Sequence, residues 1–151
     1  MGLKFERPFV VKFSHCDSTE LVFHPNFFAW AVDTEELFFR EVLGEELFGP
    51  GVTRGLFVPM AGARAEFVLP LRAGDAVLFR LWIERFGRSS VRWAFEIVKA
   101  GRPAVWIAET LVFTRLQSDG TFKAVEIPAD FREKLLPYLK APDEPALAFR
   151  S

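Results

Sequence analysis

The stretch PNFFAWAVDTEELFFREVL, residues 25–43, constrains the fold more than any other part of the chain. Pro25 suits a first helical turn, where its missing N–H leaves no bond unmade. Gly44 suits the position just past a helix end. The pattern therefore predicts one helix over 25–43. At about 100° per residue, Phe27, Phe28, Ala31, Val32, Phe38, Phe39 and Val42 share one half of the wheel, and Trp30 and Leu37 widen that arc. Asp33, Glu36 and Arg40 gather on the other side, with Glu36 and Arg40 in the favourable i,i+4 order. A helix this apolar must be wrapped on most of its circumference rather than laid on a surface.

The wrapping has to come from the remaining two-thirds of the chain. From Met60 onward the apolar pattern changes to period 2, and strands are expected at about 61–69, 76–86, 89–99, 104–117 and 121–125. Gly74, Gly87, Gly101-Arg102-Pro103 and Asp119-Gly120 punctuate them. Short connections between successive strands imply an antiparallel meander. A further strand over 9–14 precedes the helix, and a short helix over 129–139 comes after Pro128. The fold class is α+β, with a curved antiparallel sheet curled around one long central helix. Residues 1–139 read as a single domain, and 140–151, with two prolines, as a C-terminal tail.

Composition narrows the function classes. The chain has 151 residues, enough for a self-sufficient core. Lys and Arg total 19 against 20 Asp and Glu, so no bulk charge draws nucleic acid or an anionic membrane. The longest run without Asp, Glu, Lys or Arg, Leu21 to Val32, is 12 residues, too short to span a bilayer as a helix. A lone Cys16 leaves no intramolecular disulfide and suits a reducing cytoplasm. The 18 phenylalanines favour a dense aromatic core or an aromatic-lined pocket.

Reactive side chains concentrate in the turn before the helix: His15, Cys16, Asp17, Ser18, Thr19, Glu20 and His24. This turn delivers the chain to a helix N-terminus, where free N–H groups favour developing negative charge. Asp17 is either a turn carboxylate or a group that attacks a carbonyl or activates water there. Cys16 reads as a small buried hydrophobe ahead of a nucleophile. His15 and His24 lack a third placed ligand, so no metal is expected. Glu35 falls at the centre of the apolar arc, and there a carboxylate is either functional with a raised pKa or paired at a subunit interface. Arg85, Arg88, Arg92, Arg115 and Lys123 lie in or beside hairpin turns. Arg85 and Arg88, followed by Ser89 and Ser90, would make a phosphate clasp if the ligand carries phosphate.

The segment from Phe13 to Trp30 (FSHCDSTELVFHPNFFAW) resembles the opening motif of the hot-dog-fold acyl-CoA thioesterases, closest to the 4-hydroxybenzoyl-CoA thioesterase branch. The resemblance continues through Leu71-Arg72-Ala73-Gly74-Asp75, Gly87-Arg88-Ser89-Ser90 and Glu126-Ile127-Pro128-Ala129-Asp130-Phe131. It implies a hot-dog fold and hydrolysis of an aromatic or short-chain, benzoyl-like acyl-CoA to free acid and CoA. It further implies Asp17 as the catalytic carboxylate, nucleophile or general base, and the backbone N–H of His24 as the group polarising the thioester carbonyl. Phe27 and Trp30 would help form the acyl pocket, and Arg85, Arg88, Ser89 and Ser90 would meet CoA phosphates. The implied assembly is a homodimer with a continuous sheet, often a dimer of dimers, with sites between subunits. No cofactor is implied, since CoA is part of the substrate. Two positions depart from the pattern: Glu20 stands where the family has Gly, and His15 where it commonly has an acid. Two other readings use the same pocket: hydrolysis of carrier-protein-bound acyl chains, and a non-catalytic acyl-CoA-binding module.

Overall fold

The computed structural model describes residues 1–45, 54–147 and 149. Its long strands are β1 (Phe5–Val10), β3 (Met60–Phe67), β4 (Ala76–Phe86), β5 (Ser90–Lys99) and β6 (Arg102–Val112). They form one sheet in the order β1-β4-β5-β6-β3. Every neighbouring pair is antiparallel. The short strands β2 (Leu56–Phe57), β7 (Thr114–Leu116) and β8 (Phe122–Ala124) make a second sheet in the order β2-β7-β8. Helix α1 spans Pro25–Phe38 and α2 spans Ala129–Leu135.

Alternate residues of the long strands face α1. Val77, Phe79, Leu81 and Ile83 of β4 are buried with Trp93, Phe95 and Ile97 of β5 and Val105 and Ile107 of β6. From the helix, Phe27, Trp30, Ala31 and Phe38 meet them. The contacts are largely aromatic. Trp30 lies 5.0 Å from Phe9 and 5.6 Å from Phe79, and Phe38 packs edge-on at 5.1 Å from Trp93 and 5.3 Å from Phe5. Each fully buried large side chain contributes about 1.5–3 kcal/mol, so this helix–sheet seam carries much of the stability.

Several expectations need correction. The first strand covers Phe5–Val10 rather than 9–14, and Phe13–His15 forms a 3₁₀ turn. β1 is an edge strand, so Pro8, which lacks an N–H, is tolerated there opposite Leu78. The expected strand over 104–117 is two strands in two sheets, divided at Phe113, whose N–H donates to the Ser89 carbonyl at 2.7 Å. The strands from Met60 on are not a simple meander. β3 pairs with β6, not with its successor β4, so the chain crosses from one edge of the sheet to near the other between them. The short helix over 129–139 ends at Leu135 and tightens to a 3₁₀ turn over Leu136–Tyr138.

The long helix is α-helical to Phe38, continues as a π turn over Phe39–Leu43, and stops at Gly44 with φ 71°. Only one side is fully covered: Phe28, Val32 and Leu37 are half-buried in the single chain. Gly44 occupies the left-handed region, which a Cβ disfavours by about 1–2 kcal/mol. Gly44→Ala is therefore expected to lower stability by about 1 kcal/mol, read as a small fall in the urea midpoint at unchanged m value.

The tail lies against the sheet face opposite α1. The Lys140 N–H donates to the Ile83 carbonyl at 2.8 Å, and the Leu147 N–H to Glu84 Oε1 at 3.0 Å. Lys4 pairs with Glu144 and sits over the Trp82 ring at 4.1 Å. Positions 148, 150 and 151 of the expected tail lie outside the described residues.

Candidate active site

The turn before α1 is a miniature hairpin. Cys16 bridges Val22, the Asp17 N–H donates to the Leu21 carbonyl at 3.0 Å, and the Glu20 N–H donates to the Asp17 carbonyl at 3.0 Å. Closing so tight a reversal needs one residue in the left-handed region. That residue is Glu20, with φ 67°. Glu20, where the resemblance implies Gly, thus holds a left-handed backbone with a charged side chain on it. A second bridge, Leu21 to Arg72, and the Val22 N–H to Leu71 carbonyl bond at 3.0 Å tie the hairpin to the segment entering β4.

Asp17 is exposed, and its carboxylate is fixed locally. Oδ1 accepts the Thr19 N–H at 2.8 Å and also the Thr19 hydroxyl. These bonds to the ionised form, led by the hydroxyl and helped by the nearby His24 imidazole, hold the Asp17 carboxyl below the usual aspartate range. The neighbouring His15 is engaged elsewhere. Its ring sits against Phe9 at 5.7 Å and Trp30 at 5.1 Å, and its Nδ1 accepts the Lys12 N–H at 3.0 Å. Cys16 is half-buried, with its thiol 3.7 Å from the Lys12 carbonyl.

The His15 carbonyl anchors the hairpin to the helix start, accepting the Phe23 N–H at 2.9 Å and Asn26 Nδ2 at 2.8 Å. His24 caps α1 with helical dihedrals, and its carbonyl accepts the Phe27 N–H at 3.2 Å. The His24 backbone N–H has no acceptor among the described residues. It is therefore available to a ligand, at the end of the helix where partial positive charge collects.

The named residues do not all share one cavity. Asp17 lines a cleft of about 350 Å³ with Phe13, Cys16, Glu20, Arg72 and Ala73. Phe27 lines an adjoining groove of about 310 Å³ with Leu21, Val22 and the 67–71 segment. Leu21 links the two, because it bonds Asp17 and faces the groove. Trp30 is buried and borders a third depression, between α1 and β1. The basic and hydroxyl residues lie further off. Arg85 is near the end of β4, and Arg88, Ser89 and Ser90 come next in the turn to β5, closed by the Gly87 N–H to Ser90 carbonyl bond at 2.8 Å. The Asp17 cleft adjoins the beginning of β4, so the length of that strand, roughly 30 Å, separates the two groups within one chain. Sequence spacing does not reveal that gap.

A second group of titratable side chains lies inside the core. Glu35 of α1 is 1% exposed and Glu109 of β6 is 2% exposed, and none of their four carboxylate oxygens has a hydrogen-bond partner among the described residues. Burial first, and then the neighbouring Glu109, push the Glu35 carboxyl well above the usual range; burial also raises Glu109. Of the two readings of Glu35, raised pKa or a partner at a subunit interface, the single chain shows the raised direction, with a second carboxyl of the same chain as neighbour. Among the described residues, no group of three or more His, Cys, Asp and Glu is placed to hold a metal ion, and no helix is long and apolar enough to cross a membrane.

Comparison with known proteins places this architecture. A family model described as the thioesterase-like superfamily matches residues 11–135. No curated protein matches the sequence. Among solved structures, the chain is similar to the dynemicin thioesterase, with a TM-score of 0.77 and 23% identity over 90% of this chain and 97% of that one. It is similar to a gentisyl-coenzyme A thioesterase, with a TM-score of 0.71 and 25% identity over 85% of this chain and 99% of that one. It is also similar to a 4-hydroxybenzoyl-CoA thioesterase variant in complex with 4-hydroxybenzoyl-CoA, with a TM-score of 0.72 and 21% identity over 87% of this chain and 98% of that one. With a long helix packed on an antiparallel sheet and a family match running from the first strand's end through α2, the chain belongs to the thioesterase-like superfamily and is a thioester hydrolase of the hot-dog fold.

Proposed function

We propose that the chain hydrolyses aromatic or short-chain acyl-CoA thioesters to the free acid and CoA, with Asp17 as the catalytic carboxylate. The observation that carries this reading is an Asp17 carboxylate held ionised by Thr19 in the hairpin that leads into α1, whose first residue is preceded by an unengaged His24 N–H. In the general-base route, Asp17 takes a proton from water as its oxygen adds to the thioester carbon. The His24 N–H holds the resulting oxyanion. The C–S bond then breaks, and the CoA sulfur leaves with the proton from Asp17. In the nucleophilic route, an Asp17 oxygen adds to the carbon, CoA leaves as the thiolate, and water cleaves the mixed anhydride. Neither route calls for a cofactor.

The distance between Asp17 and the clasp of Arg85, Arg88, Ser89 and Ser90 supports a site shared between two copies, one giving Asp17 and the other meeting the phosphates. β3 is an edge strand with its first five residues exposed, and it suits the continuous sheet of a homodimer. The half-buried flank of α1 and the open Asp17 cleft would be covered in such a dimer, and dimers would pair in turn. The lone half-buried cysteine fits a cytoplasmic location. The test is release of free thiol from a panel of acyl-CoAs, run beside the same acyl groups on a carrier protein. Saturable turnover on benzoyl-CoA or a short acyl-CoA is expected. Ligand binding without thiol release over hours, or turnover confined to carrier-bound chains, would refute it.

A further inference from the structure

The groove beside Asp17 has an unusual lining. All eight of its residues are apolar: Leu21, Val22 and Phe27 on the helix side, and 67–71, from Phe67 to Leu71, on the other. Among the described residues, no side-chain hydroxyl, amide or charge lines it. Phe27 and Phe67 pack against each other in its wall, ring centroids 5.2 Å apart, and Phe67 and Val68 are 46% and 41% exposed, so the groove is open on that side. Its near wall, Leu21, accepts the Asp17 N–H, and Phe27 lies on the first turn of the helix that begins at His24.

We infer that this groove receives the acyl group and restricts substrates to unsubstituted apolar acyl groups, with Phe67 as a specificity-determining residue. The inference rests on the reading of Asp17 and His24 as the reaction site. A carbonyl held between those two groups would lie near the Leu21 end of the groove, so its substituent can extend along the apolar wall. Its volume of about 310 Å³ is ample for an aromatic ring or a short chain. A ring hydroxyl laid against this wall would meet only apolar side chains and gain no side-chain partner among the described residues. Apolar pockets discriminate against such an added hydroxyl by up to about 10²-fold, whereas a site built to bond it would prefer it strongly. The chain should therefore differ in preference from the gentisyl- and 4-hydroxybenzoyl-CoA thioesterases that it resembles in fold.

The experiment compares kcat/KM for benzoyl-, 4-hydroxybenzoyl- and propionyl-CoA in wild type and in Phe67→Ala. Wild type is expected to favour benzoyl- over 4-hydroxybenzoyl-CoA by about 10-fold or more. Phe67→Ala is expected to lower kcat/KM for benzoyl-CoA by about 10-fold and for propionyl-CoA by clearly less, because the smaller group covers less of the apolar wall. Equal or better turnover of 4-hydroxybenzoyl-CoA, or an equal loss on all three substrates, overturns the inference while leaving the Asp17 site standing. Wild-type turnover that survives Asp17→Asn on every substrate removes both.

Discussion

Asp17→Asn is expected to lower kcat by about 10²–10⁴-fold with little change in acyl-CoA affinity. Asn keeps the size of the side chain and an oxygen to accept the Thr19 N–H, so the hairpin should hold. What disappears is the negative charge that attacks carbon or withdraws a proton from water, an interaction made chiefly in the transition state. Single-turnover kinetics and direct titration with substrate separate the two effects. The pH profile adds a sign. The active form is the carboxylate, so kcat/KM should fall as pH drops through the Asp17 pKa. That limb should lie below the ordinary aspartate range, because Thr19 and His24 favour ionisation. Thr19→Ala removes the largest of these influences and should move the limb upward. Wild-type kcat in Asp17→Asn would show that the carboxylate is only a turn residue.

The second large effect concerns stability. Glu35 and Glu109 face each other in the core, with Trp93 of β5 directly opposite Glu109 in the sheet register. Trp93 Nε1 also lacks a partner among the described residues. Burial favours the neutral forms of the two acids, so the folded chain binds more protons than the unfolded one above the normal glutamate range. Stability from this pair is therefore fully present at acid pH and declines as pH rises from that range through the raised folded value. Each unit by which a carboxyl is raised corresponds to about 1.4 kcal/mol. Glu35→Gln supplies a neutral group of the same shape and removes that proton requirement. Its melting temperature should exceed wild type at pH 8, by about 2–4 °C for each kcal/mol recovered, and match or fall below it near pH 4.5. Parallel melting curves across this range would mean that the two carboxyls carry no linked proton.

The central helix and the long strands are legible in the sequence because their signals are local. Pro25 and Gly44 bracket the helix, and period-2 alternation marks the strands. The first strand is harder to place because Arg7 and Pro8 break its apolar run, and only its position at the sheet edge makes Pro8 acceptable. The pairing of β3 with β6 is hidden because short turns suggest sequential neighbours, and the connection over residues 68–75 carries no mark of a crossover. The concentration of reactive groups before α1 locates the Asp17 hairpin, while the groove wall at 67–71 reads only as the end of a strand. Glu35 is visible as an acid on an apolar arc. Its neighbour Glu109 is not, since contact across some seventy positions leaves no local trace.

The strand order also sets a succession of events during synthesis. β1 and β3 each wait for a partner made later, β1 for β4 and β3 for β6. Helix α1 leaves the ribosome with only β1 to meet Phe38 and Trp30, well before Phe79 and Trp93, which cover them from β4 and β5, exist. Until β4 is made the nascent chain presents an oily rod and an unmatched β1, and β3 stays unmatched until β6 is complete. Such non-local pairing is the kind that slows folding and leaves apolar surface exposed to other chains in the meantime.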